Sequence, residues 1–202
     1  MSLAPADAGV MTGAMAAPAP NRPVVPSAVL GTLIFAVAEV MFFVGMISAF
    51  TISRSGAPAG TWPVPGQPML PKDATLVNTI ALVLSGFVLL AAQVLWAKKK
   101  SAAKWLVVVS WLLGAAFVAL QGREWAQLLS AGLTLTSSRL GAFFYLIVGM
   151  HGAHAIGALV ALGLAAVQML RGTMKGGLFF GVQVFWYFVV LMWPIIYVRV
   201  YF

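Results

Sequence analysis

Two histidines stand three residues apart in a stretch without a formal charge, GAFFYLIVGMHGAHAIGALVAL, residues 141–162. His151 and His154 are the only imidazoles in the chain, and the side chains that could share their chemistry are few: Asp7, Glu39, Asp73 and Glu124. An imidazole can ligate a metal, relay a proton or simply bond one helix to another. On a helix, the i, i+3 spacing sets both rings on one face. That excludes a haem held between them, because two axial ligands approach iron from opposite sides and no third histidine exists. A copper or iron site made from both histidines and Glu39 would have three ligands and no second carboxylate. It falls short of the paired Glu and Glu-x-x-His set of di-iron bundles. The two rings are therefore expected to be buried and hydrogen-bonded between helices.

Glu39 lies in FAVAEVMFF, the twelfth of 25 residues in an apolar run from 28 to 52. A charge at that depth in a bilayer costs ~2.5 kcal/mol or more. The carboxyl is expected to be protonated, paired or both, acting as glue between helices or as a proton-handling group. Arg123 and Glu124, in LQGREWAQL, fall one helix length beyond Lys104. They are expected near a membrane interface as a solvated ion pair, or with a part in assembly or proton traffic. Trp125 beside them suits an aromatic belt.

Elements able to hold these residues must be membrane helices. Of 202 residues, 62% are hydrophobic and 8% charged, far from the balance of a soluble domain. The net charge of +8 comes from scarce carboxylates, four against twelve Lys and Arg. No basic soluble face exists, so nucleic acid is not an expected partner. Cysteine is absent, which excludes disulfides, thiolate metal sites and cysteine nucleophiles from this chain.

A bilayer core of about 30 Å takes roughly 20 helical residues. The apolar runs divide accordingly into five spans, about 28–52, 75–96, 105–129, 140–170 and 178–198. They predict an all-α bundle over residues 27–202, behind an Ala/Pro-rich tail, 1–26, that does not resemble a signal peptide. Arg22, Lys98, Lys99, Lys100, Lys104, Arg171 and Lys175 fall on the amino-terminal side, and Arg54, Lys72, Arg123, Arg139 and Arg199 opposite. The bias, carried by a short loop, puts the amino terminus in the cytoplasm. The Pro/Gly-rich segment 55–73 is expected to be an irregular loop on the outer face. Within the spans, Asn78, Ser85 and Gln93 form one polar stripe and Ser110, Gly114 and Gln121 another, marking inward faces. Gly149, Ala153, Gly157 and Ala161 form a small-residue row that would let a neighbouring backbone approach.

Five stretches, in order, resemble the subunit III family of haem-copper terminal oxidases (cytochrome c and quinol oxidases). LGTLIFAVAEVMFFVGMISAF is similar to its glutamate-bearing helix, and LVNTIALVLSGFVLLAA to its Leu-Asn-Thr…Ser-Gly segment. ALQGREWAQL resembles its Gln-x-x-Glu-Trp/Tyr segment, GAFFYLIVGMHGAHAIGA its Gly-x-His-Gly-x-His-x-x-Gly helix, and FWYFVVLMWPIIYVRVYF its closing helix. The resemblance covers residues 28–202 and points to the shorter five-helix bacterial form, starting at the third helix of seven-helix members.

That resemblance implies an accessory subunit of an oxygen-reducing, proton-pumping respiratory complex, not catalytic by itself, in the bacterial cytoplasmic membrane. It implies no redox cofactor in this chain, haem and copper in partner subunits, and room for bound phospholipid. The partners would be the catalytic subunit I, subunit II and the lipid bilayer. Glu39, Glu124, His151 and His154 match the family's recurring polar positions, so the histidines would hold helices together within an internal hydrogen-bond network. Tyr187 stands where the family usually has His, and Val190 where it usually has Asp. The alternatives are a small proton-coupled transporter using Glu39 with a histidine relay, and the related accessory protein of nitric oxide reductases.

Overall fold

The computed structural model describes residues 27–62 and 65–202; the tail expected over 1–26 lies outside them. Five helices follow in order: α1 (Ser27–Ser55), α2 (Lys72–Ala97), α3 (Ala103–Ser130), α4 (Arg139–Leu170) and α5 (Gly176–Tyr201). Each is long and apolar enough to cross a membrane, and no strand occurs among the described residues. Helices are what such runs must form, since a backbone in hydrocarbon has to satisfy its own polar groups. They continue past the apolar runs into Arg54, Lys72 and Asp73, because helical hydrogen bonding persists where side chains meet the polar interface.

The ends are set by local chemistry. α2, α3 and α4 close on the same left-handed turn, with Lys99, Gly132 and Gly172 at positive φ. In each, the next residue donates back five positions: Lys100 N–H to Leu95 O, Leu133 N–H to Leu128 O and Thr173 N–H to Gln168 O, all at 2.9 Å. This pattern satisfies carbonyls that a helix end would leave bare. Gly132 and Gly172 adopt that φ without the steric cost that Lys99 carries.

α4 begins at Ser138, whose Oγ accepts from Gly141 N–H at 2.9 Å and also receives a hydrogen bond from Gln67 Nε2 in the α1–α2 loop. One serine thus caps a helix and ties down a loop. Ser138→Ala is expected to lower stability by about 0.5–2 kcal/mol, the usual cost of losing such a cap, and to loosen the 56–71 connection. A thermal melt in detergent followed by circular dichroism, alongside proteolysis of that loop, measures both. An unaltered melt and unaltered cleavage would contradict the dual role.

The described residues between α1 and α2, 56–62 and 65–71, are irregular, as Pro58, Pro65, Pro68 and Pro71 require, with Gly60 and Gly66 at positive φ. α5 is the hub. It packs against α1, α2 and α4, while α3 bridges α2 and α4, and α1 touches α4. Lipid tails are as apolar as leucine side chains, so burial does not drive these contacts; close packing and hydrogen bonds between helices do. Both devices are concentrated on tryptophans. Trp186 and Trp193 of α5 are fully buried, and their indole N–H groups donate at 2.9 Å to Ser85 Oγ and Thr79 Oγ1 of α2. Trp111 of α3 donates to Leu159 O of α4 at 3.1 Å.

Glycines make room for these rings. A Cβ at Gly114 would overlap the Trp186 indole, one at Gly152 would lie 2.8 Å from Trp125, and one at Gly163 2.8 Å from Trp111 Nε1. The inward glycines of α4 are therefore Gly152 and Gly163. The row Gly149, Ala153, Gly157 and Ala161 points elsewhere: Ala153 and Gly157 are exposed, and a Cβ at Gly149 or Gly157 would touch nothing closer than the Phe185 ring edge at 3.9 Å. This row is offset around α4 from the face that the bundle buries most deeply, and among the described residues only the Phe185 ring edge of α5 comes within 4 Å of a Cβ at Gly149 or Gly157.

Candidate functional site

Glu39 and His154 come together. The α1 carboxyl Oε2 lies 3.2 Å from His154 Nε2 of α4, with the side chains 21% and 11% exposed. The other ring nitrogen, Nδ1, is 2.7 Å from Met150 O. A carbonyl can only accept, so Nδ1 carries a hydrogen and donates to it. Nε2 then meets Glu39 in one of two ways: bare, accepting from a carboxylic acid, or protonated, donating to a carboxylate. Either way one proton lies between Oε2 and Nε2. The pair meets the cost of placing a carboxyl in a span by joining it to a base across a helix boundary. Phe35, Phe43, Phe185 and Phe188 surround the His154 ring at centroid distances of 5.8–6.5 Å.

His151 faces a different neighbour. It is 1% exposed, and its Nε2 lies 3.0 Å from Val189 O of α5, so it donates there. That carbonyl is next to the one of Val190, which loses its helical donor because Pro194 has no N–H. The two histidines share a face of α4 yet serve different helices, His154 meeting α1 and His151 meeting α5, with the Phe43 ring near both.

Glu124 departs from the expectation of a solvated ion pair with Arg123. It is 6% exposed, while Arg123 faces outward. Successive helical side chains diverge by about 100°, so the neighbours cannot share an environment. Glu124 instead continues the Ser110, Gly114, Gln121 face and closes a network with α2. Asn78 Nδ2 donates to Oε1 at 2.7 Å, Thr75 Oγ1 bonds Oε2 at 2.7 Å, and Gln121 Nε2 donates to Oε2 at 3.2 Å and to Tyr201 Oη at 3.2 Å. Ser110 Oγ donates to Ser85 O at 2.8 Å on the same α2–α3 seam. Trp125 is half-buried against Gly152.

The spacing of the sequence did not announce Thr75, Trp186 or Trp193 as polar partners. Trp186 and Trp193 are seven apart and so share a face of α5, but that helix is apolar all round and its period names no inward side. Val190 fills the space over Gly86 of α2, where an added Cβ would come within 2.9 Å of its Cγ1. The valine at this departure from the family pattern is thus a packing contact.

The donor set does not fit a haem or copper centre in this chain. His154 has both ring nitrogens engaged, and His151 offers one. Among the described residues, no three His, Cys, Asp or Glu side chains gather in a way that could hold a metal ion.

Comparison with known proteins identifies the family. The family model described as "Cytochrome c oxidase subunit III" matches residues 10–202. A "Probable cytochrome c oxidase subunit 3" of Nocardia farcinica is 32% identical over 189 residues, covering 90% of each chain. The protein of the same name from Mycobacterium tuberculosis is also 32% identical, over 193 residues and 90% of each chain. A "Cytochrome c oxidase subunit 3" of Triticum aestivum is 33% identical over 180 residues, 85% of this chain and 66% of its own. The transporter and the nitric oxide reductase accessory protein find no support in these names. A five-helix membrane bundle with a half-buried carboxyl–imidazole pair and this match along nearly its whole length has one reading: the chain belongs to the cytochrome c oxidase subunit III family.

Proposed function

We propose that this chain flanks the catalytic subunit I of a respiratory haem-copper oxidase, with subunit II nearby, in a bacterial cytoplasmic membrane. There it steadies the complex and sustains proton supply during turnover. The chain is an accessory subunit of an oxidase complex by family. The oxidase assignment is supported by the match over residues 10–202, and the proton role by the Glu39–His154 contact. Haem and copper belong to the partner subunits in this proposal, and electrons do not pass through this chain. The amino terminus is placed in the cytoplasm by the distribution of basic residues.

Of the polar residues, Glu39 and His154 hold an exchangeable proton within the spans, while Glu124 and His151 brace α3 to α2 and α4 to α5. The outward row Gly149, Ala153, Gly157 and Ala161 receives a helix from a partner subunit. Gly157→Leu tests that placement: the isolated bundle is expected to keep its melting temperature, since the position is exposed, and the yield of assembled complex on a native gel is expected to fall. Unchanged yield would remove the row from the interface.

Purification of the chain from its native membrane tests the assignment itself. It is expected to carry haem-bearing subunits with it, and cross-links from α1 or α4 should reach the haem-copper subunit. Recovery as a solitary protein that binds and carries a solute in vesicles would overturn it.

A further inference from the structure

Three polar atoms that the fold leaves without partners belong to residues around one cavity. It has a volume of about 200 Å³ and lies between α3, α4 and α5, lined by Gln121, Gly122, Trp125, His151, Ile156 and Trp193 among others. Gln121 spends both amide hydrogens on Glu124 and Tyr201, which leaves Oε1 unpaired. His151 donates from Nε2 to Val189 O, which leaves Nδ1 unpaired. Trp125 has an indole N–H with no acceptor. Gln121 is 5% exposed and His151 1%.

A polar group buried without a partner is costly, and three around one space point to a common occupant. Two of them accept and one donates. The complement is an O–H, which gives its hydrogen to a bare nitrogen or carbonyl and takes one from the indole. The rest of the lining is apolar, and the rim includes Gly122 and Ile156, both exposed on the lipid-facing side. Space is not limiting, since a bound water occupies about 30 Å³.

We propose that this cavity is a hydroxyl-binding site, in which an O–H accepts from Trp125 Nε1 and donates to His151 Nδ1, the second hydrogen of a water reaching Gln121 Oε1 as well. The O–H comes from water or from the head of a lipid-soluble alcohol or phenol. Through Gln121 the occupant is one hydrogen bond from Glu124, so it extends the α2–α3 network to the histidine face of α4.

The test uses the full chain, ¹⁵N-labelled in its two histidines and assembled with unlabelled partners in bilayers. Solid-state NMR should show His151 protonated at Nε2 and its Nδ1 shifted away from the position of a free, unbonded ring nitrogen. Gly122→Leu, at a position where a Cβ meets nothing within 4 Å, should fill the cavity and return Nδ1 to the free position, leaving the His154 signals as a control for the fold. Trp125→Phe should weaken the shift while keeping the ring. Polarisation transfer from water protons would identify water as the occupant. Loss of the shift on delipidation, with recovery of a hydroxylated lipid, would identify the organic one. A free Nδ1 signal in the unsubstituted chain, or a protonated Nδ1, would overturn the proposal whether or not the variants fold. Neither outcome bears on the oxidase assignment, which rests on partner capture.

Discussion

Valine at Gly114 is expected to keep α3 from seating against α5. Its Cβ would come within 2.4 Å of the ring of Trp186, a fully buried side chain tethered by its indole N–H to Ser85 Oγ at 2.9 Å. The ring cannot retreat without breaking that bond, and Leu159 of α4 closes the other side, its Cδ1 3.2 Å from the added atom. Overpacking of this kind usually costs 1–3 kcal/mol, and loss of the tethering bond adds roughly 1 kcal/mol. The variant should melt well below the parent in detergent and accumulate poorly in membranes. Gly157→Leu is the matched control on an exposed surface. If Gly114→Val melts with the parent protein, the tryptophan-on-glycine contacts are not what closes the bundle.

How far the sequence foretells this structure depends on which physical signal each residue leaves. Span length is legible because bilayer thickness sets it, so five apolar runs become five helices. Glu39 is legible because a carboxyl in the middle of such a run has to find a partner, and the i, i+3 histidines mark the face of α4 where one is found. Glu124 is harder to place, since an adjacent arginine at the end of an apolar stretch suggests water. The counter-signal is its position three residues after Gln121, on the stripe that starts at Ser110.

The small-residue row of α4 could not be oriented from spacing alone. The helix is apolar on every side, and Gly149–Gly157 and Gly152–Gly163 are equally good grooves until a neighbour is known. What selects Gly152 and Gly163 is the tryptophans of α3, and that pairing is tertiary.

The second large effect concerns Glu39. Glutamine in its place keeps a donor for His154 Nε2, so the α1–α4 contact should survive, haem content and assembly should hold, and only the exchangeable proton should be lost. Under sustained turnover the Glu39→Gln complex is expected to slow or inactivate several-fold sooner than the parent. Leucine removes the partner altogether and leaves Nε2 bare in the bundle, at a cost of about 1–3 kcal/mol, so Glu39→Leu should also lower complex yield. Equal loss of assembly in both variants would make Glu39 a structural tether with no part in proton handling.

The most direct measurement compares the purified oxidase with and without this chain, reading iron, copper and the number of turnovers completed before activity fails. If the chain is a metal-free flank that sustains proton supply, both preparations hold the same iron and copper per catalytic subunit, and the depleted one fails early. Iron or copper lost in proportion to the chain, or turnover that persists equally without it, would contradict that account.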